Sequence, residues 1–219
     1  MNLILFFSST FLCFSGVLLM NKIFKKEGLF IWMAAASIIA NILVCKNIAI
    51  GGIVFTLGNI LFASNFLCTD IISEKYGAKQ SNKSVYMALC SVILFITATQ
   101  IALLFIPDIS DISHSAMMQL FSINIRTSIA SITMFFLSNL ADVYLFEKIK
   151  TKFKHKLWLR SGLSSIVCNC VENFIFCILA FYGVYEIDIV LNIALTTCIA
   201  ELILSILYIP FLYISKKFD

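Results

Sequence analysis

Seven long apolar runs follow one another along the chain, and this feature constrains the fold more than any other. As a helix, each run is long enough to cross a hydrocarbon core of about 30 Å, some of them with tilt. The pattern predicts an all-α integral membrane protein, with residues 1–219 forming a single transmembrane domain of about seven helices. Six helices would result if the second and third runs, which only Lys46, Asn47 and the Gly51-Gly52 pair separate, formed one span. The runs are 3–21, 29–45, 48–73, 84–106, 123–147, 161–183 and 188–214.

The composition excludes a soluble protein. Hydrophobic residues make up 61% of the 219 positions and charged residues only 13%, whereas soluble domains carry about 25% charged residues. The first run has no basic segment before it and is long enough to span by itself, so it predicts a retained helix rather than a signal peptide. The eight cysteines form no CxxC pair and are interpreted as small buried hydrophobes. Neither they nor the two histidines, which lie in loops, predict a metal site.

The positive charges predict the orientation. Fourteen of the 16 Lys and Arg residues follow runs one, three, five and seven, and only Lys46 and Arg126 lie on the opposite side. Because cytoplasmic segments are enriched in Lys and Arg, the N-terminus is predicted outside and the C-terminus in the cytoplasm. The basic stretch 147–156 is interpreted as a topology anchor against anionic lipid rather than as a nucleic-acid site.

Several polar side chains fall inside the predicted spans. A charge at the centre of a membrane helix costs about 2.5–3.5 kcal/mol, so such residues tend to face the interior of a bundle. Interhelical hydrogen bonding is the simpler interpretation, although each such bond contributes only about 0.6 kcal/mol, and an amide would serve as well as an acid. A ligand or proton site is the alternative, which we favour for the face of Asn169, Glu172 and Asn173, whereas Glu201 fits both interpretations. The four acids are Asp70, Asp142, Glu172 and Glu201.

The spacing of these residues groups them on helix faces. Asn169, Glu172 and Asn173 are related by three and four residues and share one face near mid-membrane. Asn139 and Asp142 are three apart on the preceding run. We expect the sixth-run face to meet a central cavity together with Asp70 or Asp142.

Three motifs, in this order, resemble the bacterial queuosine precursor transporter family, also grouped as vitamin uptake transporters. They are TDIISEKYG at 69–77, an Arg-led span that ends in SNLADVYLFEKIK at 138–150, and a basic loop with KLWLR at 156–160 before SSIVCNCVENFIF at 164–176. The resemblance covers about 59–180. This chain has Asn169 and Glu172 where the family often has glutamine and aspartate. The first motif also places Gly77 where a helix C-cap is expected.

The resemblance implies a transporter of the bacterial inner membrane that imports a 7-deazaguanine for tRNA queuosine modification. The ligand would be 7-cyano-7-deazaguanine, 7-aminomethyl-7-deazaguanine or queuine. A carboxylate can accept the two N–H donors of the deazaguanine edge, amides can pair with its carbonyl, and aromatic rings can cover its flat faces. Glu172 and Glu201 are also candidates for proton coupling. The predicted substrate-binding residues are Glu172, Asn169, Asn173, Asp70, Asp142, Asn139 and Arg126.

Other functions fit the sequence less well. The chain has no G-x-S-x-G motif and no P-loop, so we expect neither an enzyme nor an ATPase, and no cofactor. Two alternatives stay open, namely the substrate-binding subunit of an energy-coupling vitamin importer and a membrane scaffold without transport. The expected partners are the small-molecule substrate and the lipid bilayer, without nucleic acid, and a homo-oligomer is left open.

Overall fold

A bundle of α-helices with one small β-hairpin makes up the computed structural model. The structure describes residues 1–51, 53–121, 125–153, 156–184 and 186–218, with residues 53–55 and 125–128 described by their backbone only. In this part of the chain the helices are α1 Asn2–Leu43, α2 Gly58–Tyr76, α3 Ala78–Leu103, α4 His114–Phe121, α5 Ile125–Lys152, α6 Leu157–Phe181 and α7 Ile187–Ser215, and the strands are β1 Asn47–Ile50 and β2 Ile53–Thr56.

Helix α1 contains a sharp reversal. Lys25 has φ 49° and ψ −130°, which are not helical angles. Gly16 packs against the indole of Trp32, so closely that a Cβ atom on Gly16 would lie 2.6 Å from Trp32 Cη2. A straight helix would separate these residues by about 24 Å. The two halves of α1 therefore fold back on each other, as the separate runs 3–21 and 29–45 predict.

Helix α2 is the central helix of the bundle. It packs against α1, α3, α5 and α7, and 14 of its 19 residues are buried. Buried polar residues such as Asn65 and Asp70 are tolerated here because protein surrounds the helix on several sides. The helix ends as predicted at Gly77, whose φ of 84° is readily available only to glycine.

The predicted third span began too early. Residues 48–51 and 53–56 are not helical, because β1 and β2 pair in antiparallel register from Asn47 opposite Thr56 to Ile50 opposite Ile53. The segment carries β-branched residues on both sides of Gly51, which has φ 59°, and this composition favours a tight hairpin. The helix begins only at Gly58, so the start of this span is corrected, while the α-helical fold class stands.

Five helices of the described residues are long and apolar enough to cross a membrane. They are α1, α3, α5 from Ile129 onward, α6 and α7. This result confirms an α-helical membrane protein. Helix α6 packs against α5 and α7, and these three helices position the polar residues described next.

Candidate substrate cavity

A cavity of about 410 Å³ lies among α1, α2, α5, α6 and α7. Its wall extends to Cys45 after α1, Thr56 in the hairpin, Leu120 in α4 and Phe181 at the end of α6. The basic ends of α5 and α7 lie at the other end of the bundle. The volume of the cavity falls in the range of about 300–1,000 Å³ that small-molecule sites occupy.

Three consecutive helices supply the side of the cavity that carries the two glutamates. Asn139 comes from α5, Glu172 and Asn173 from α6, and Glu201 from α7. Asn139 and Asn173 are buried, whereas the two glutamates are half-buried. Glu172 and Asn173 are adjacent in sequence, and both side chains reach the same cavity from α6.

Hydrogen bonds orient three of these side chains. The Asn173 amide donates to the Glu201 carboxylate at 2.6 Å and to the Asn169 carbonyl oxygen at 2.9 Å. The Asn139 amide donates to the Phe135 carbonyl oxygen at 2.8 Å. Asn139 Oδ1 is buried and has no hydrogen-bond partner among the described residues. The cavity therefore presents acceptor groups whose directions are set by the protein.

Aromatic rings form much of the remaining wall. Phe62 and Phe66 come from α2, Phe135 from α5, and Phe176 and Phe181 from α6. Phe62 and Phe135 contact each other with ring centroids 6.1 Å apart, and Phe176 and Phe181 with centroids 6.0 Å apart. Such a wall can pack against the faces of a flat ring.

A second polar region lies between the cavity and the basic end of the bundle. We name it the closed cluster, and it consists of Asp70, Asp142, Ser161, Ser165 and Tyr208. Asp70 Oδ2 accepts hydrogen bonds from Ser161 and, at 3.1 Å, from Tyr208. Ser165 donates to Asp142 at 3.1 Å and lies 2.6 Å from the Tyr208 hydroxyl. A chain of hydroxyl groups thus joins the two carboxylates across four helices.

The closed cluster excludes solvent. Asp70 is 1% exposed and Asp142 is fully buried. Thr69 adds a hydrogen bond of 3.4 Å to Asp142, whereas Asp70 Oδ1 has no hydrogen-bond partner in the described part of the chain. Neither aspartate lines the cavity in this conformation.

An ion cluster lies beyond the closed cluster. The Glu74 carboxylate pairs with the guanidinium of Arg160, with Lys216 at 2.7 Å and with Lys150 at 3.5 Å. Arg160 is 2% exposed, and its guanidinium carbon lies 5.3 Å from the centroid of the Phe146 ring. The Glu74 side chain is only 15% exposed, because these cations surround it.

The structure divides the predicted site residues between the two regions. Asn139, Glu172, Asn173 and Glu201 line the cavity, whereas Asp70 and Asp142 belong to the closed cluster. Asn169 lies outside the cavity wall, and its amide donates to Ser205 at 3.3 Å. The side chain of Arg126 is outside the described residues. The described residues contain no group of three or more His, Cys, Asp or Glu that could hold a metal ion.

Sequence reasoning missed Tyr208 and Ser161. Tyr208 lies seven residues after Glu201, with Ser205 between them, so the three share one face of α7. Ser161 lies four residues before Ser165 on α6. Both residues lie about two helical turns further along the polar stripes, from Glu201 on α7 and from Asn169 on α6.

These features define a multi-pass α-helical membrane protein with a ligand-sized, acceptor-rich cavity inside the bundle. Residues 56–215 match the family model described as putative vitamin uptake transporter, and the chain belongs to that family. The chain is also 36% identical over 203 residues to the "Probable queuosine precursor transporter" of Bacillus subtilis (strain 168), across 92% of this chain and 89% of the relative. No solved structure matches the chain. The family expected from the three motifs is confirmed, and the protein is a multi-pass bacterial membrane protein with a transporter role.

Proposed function

We propose that this protein imports a 7-deazaguanine precursor of queuosine across the bacterial inner membrane. The observation that carries the proposal is the cavity itself, which combines a carboxylate at Glu172, amides at Asn139 and Asn173 and a wall of phenylalanines. The name of the Bacillus subtilis relative supports the same class of substrate.

The edge of a deazaguanine is complementary to this wall. Its ring N–H and exocyclic amine are adjacent donors, and the Glu172 carboxylate can accept both side by side. Asn139 and Asn173 offer further polar contacts to the remaining ring atoms. The flat ring packs between phenylalanine side chains. Glu172 is therefore assigned to the donor edge of the ligand.

The proposal includes an orientation in the membrane. The two halves of α1, together with α2, α3, α5, α6 and α7, make seven crossings, with the N-terminus outside and the C-terminus in the cytoplasm. In this arrangement the cavity lies towards the outer side, and the closed cluster and the ion cluster separate it from the cytoplasm. A reporter fused after the last residue is expected to be active only in the cytoplasm, and activity in the periplasm would overturn the orientation.

Transport requires the closed cluster to open. Asp70 and Asp142 would then meet the ligand only during its release to the cytoplasm, since neither lines the cavity in this conformation. Substrate contacts of Asp70, Asp142, Asn169 and Arg126, and proton coupling through Glu172 or Glu201, stay predictions.

Uptake of labelled precursors tests the proposal. Cells that lack both precursor synthesis and their own transporter are supplied with labelled 7-deazaguanines, and queuosine in tRNA is measured. The wild-type protein is expected to restore queuosine. Absence of both uptake and queuosine, with the protein present in the membrane, would overturn the proposed function.

A further inference from the structure

Two carboxylates face the same enclosed cavity from neighbouring helices. Glu172 lies on α6 and Glu201 on α7, and both line the 410 Å³ volume. The described residues of the wall include no Lys or Arg. Two ionised carboxylates that face one cavity repel each other, so a ligand group with a positive charge stabilises the site.

A neutral deazaguanine edge satisfies only one of the two acids. Under the proposed function, on which this inference rests, Glu172 accepts the two adjacent donors of the ring edge. Glu201 then has no counterpart on the neutral part of the ligand. A substituent with a positive charge supplies that counterpart.

The protein presents Glu201 to the cavity in a fixed direction. Its Oε2 accepts a hydrogen bond of 2.6 Å from Asn173, and Asn173 is itself held by the Asn169 carbonyl oxygen. Among the described residues no donor bonds to Oε1, which can therefore accept a bond from a ligand. Nearby, Asn139 Oδ1 is buried without a partner among the described residues, and its amide is turned away towards Phe135.

On the side of the cavity formed by Asn139, Glu172, Asn173 and Glu201, the amide donors are engaged by the protein and acceptors are left for the ligand. A ligand group that fits has several N–H donors and no acceptor of its own, and an ammonium group has this property. Phenylalanine faces in the same wall are also compatible with a cation.

We infer that Glu201 binds a protonated amine on the ligand, so that the cavity selects 7-deazaguanines with an aminomethyl substituent over those with a neutral substituent. Both 7-aminomethyl-7-deazaguanine and queuine carry such an amine, whereas 7-cyano-7-deazaguanine does not. Glu172 recognises the part that all these ligands share, and Glu201 recognises the part that distinguishes them.

A matched pair of ligands tests the inference. Uptake of labelled 7-aminomethyl-7-deazaguanine is measured in the salvage-dependent cells, with the unlabelled compound or its neutral near-isostere, 7-hydroxymethyl-7-deazaguanine, as competitor. For the wild-type protein we expect the hydroxymethyl compound to compete about tenfold more weakly or worse, since it lacks the charge-assisted bond. Equal competition by the two compounds would overturn the inference.

Variants then assign the selectivity to one residue. Glu201→Gln is expected to bring the ratio of the two apparent affinities close to one, and Glu201→Asp to keep most of the preference. Glu172→Asp, which changes the shared edge, is the matched control and is expected to leave the ratio unchanged. A Glu201→Gln protein that keeps the full preference would overturn the assignment.

The outcomes separate this inference from the proposed function. If the wild-type protein takes up no labelled precursor, the proposed function fails. If it takes up the labelled compound and both competitors act equally, only the amine selectivity fails. Because the ligand pair is decisive on the wild-type protein, the test does not depend on whether Glu201→Gln reaches the membrane.

Discussion

The cavity and the closed cluster use similar residues for different purposes. Both are built from carboxylates and their neighbours on α5, α6 and α7, and the closed cluster adds Asp70 from α2. In the closed cluster, hydroxyl groups from other helices occupy three of the four oxygens of Asp70 and Asp142. In the cavity, Glu172 and Glu201 stay half-exposed and line open volume.

The difference shows that the partners of an acid, rather than its depth in the membrane, indicate what it can do. An acid with protein donors from two other helices holds those helices together in this conformation. An acid that lines open volume is available to a ligand. The two regions are about two turns apart on α6, from Ser165 to Glu172, so one helix carries both.

The largest loss of transport is expected from Glu172→Gln. The substitution replaces one accepting oxygen with an amide donor, which opposes the donors of the ligand edge. The loss of a partner for two buried N–H groups costs a few kcal/mol, so transport should fall about 100-fold or more. Queuosine in tRNA of a salvage-dependent strain measures transport, and membrane abundance and Tm in detergent measure folding.

Glu172→Asp provides the comparison for this variant. It keeps the charge and is expected to keep part of the activity. Abundance and Tm should be unchanged in both variants, because Glu172 lines open volume. Normal transport by Glu172→Gln would mean that the residue only joins helices, and a strong loss of Tm would place it with the closed cluster.

Asp70→Ala is expected to lower the stability of the protein, unlike the substitutions of Glu172. The substitution leaves the buried hydroxyls of Ser161 and Tyr208 without their shared acceptor, and the free energy of unfolding should fall by about 2–3 kcal/mol. A lower Tm in detergent measures the loss. Glu27→Ala is the matched control, because the Glu27 side chain is 71% exposed and its removal should leave Tm unchanged. An unchanged Tm for Asp70→Ala would contradict the structural role of the closed cluster.

Much of the fold follows from the sequence because apolar length and basic flanks are local properties. The run 48–73 is the exception. Its first part is as apolar as a membrane helix, and an apolar run does not by itself distinguish a strand from a helix. The β-branched residues around Gly51 were the available signal for the hairpin.

The site could be predicted in part for a similar reason. The spacing of Asn169, Glu172 and Asn173 places them on one helix face. Glu172 and Asn173 line the cavity, however, whereas Asn169, one helical turn earlier, does not. Which helix lies opposite each turn depends on tertiary packing, so the sequence could not separate Asp142 from Asn139. Tyr208 was missed because a lone tyrosine in an apolar run is indistinguishable from packing.

A smaller effect is expected from Tyr208→Phe. The change removes one hydroxyl that lies 2.6 Å from Ser165 and 3.1 Å from Asp70, and it keeps the volume of the ring. The free energy of unfolding should fall by about 1 kcal/mol. Tyr144→Phe, the same change at an exposed position on α5, should cost less than about 0.5 kcal/mol. Equal Tm values for the two variants would mean that the hydroxyl chain does not depend on Tyr208.

The smallest loss of stability is expected from Lys216→Ala, which tests where the closed cluster ends. Lys216 bonds to Glu74 at 2.7 Å, but its side chain is 43% exposed, so water can replace it. Glu74 keeps the buried guanidinium of Arg160 as a partner. The loss should therefore stay below about 1 kcal/mol and shrink further in high salt, because exposed ion pairs are weak and screened. Tm measured at low and high ionic strength gives both the loss of stability and its dependence on salt. A loss of stability as large as that of Asp70→Ala, and independent of salt, would mean that the ion cluster belongs to the buried closed cluster and is not its solvated edge.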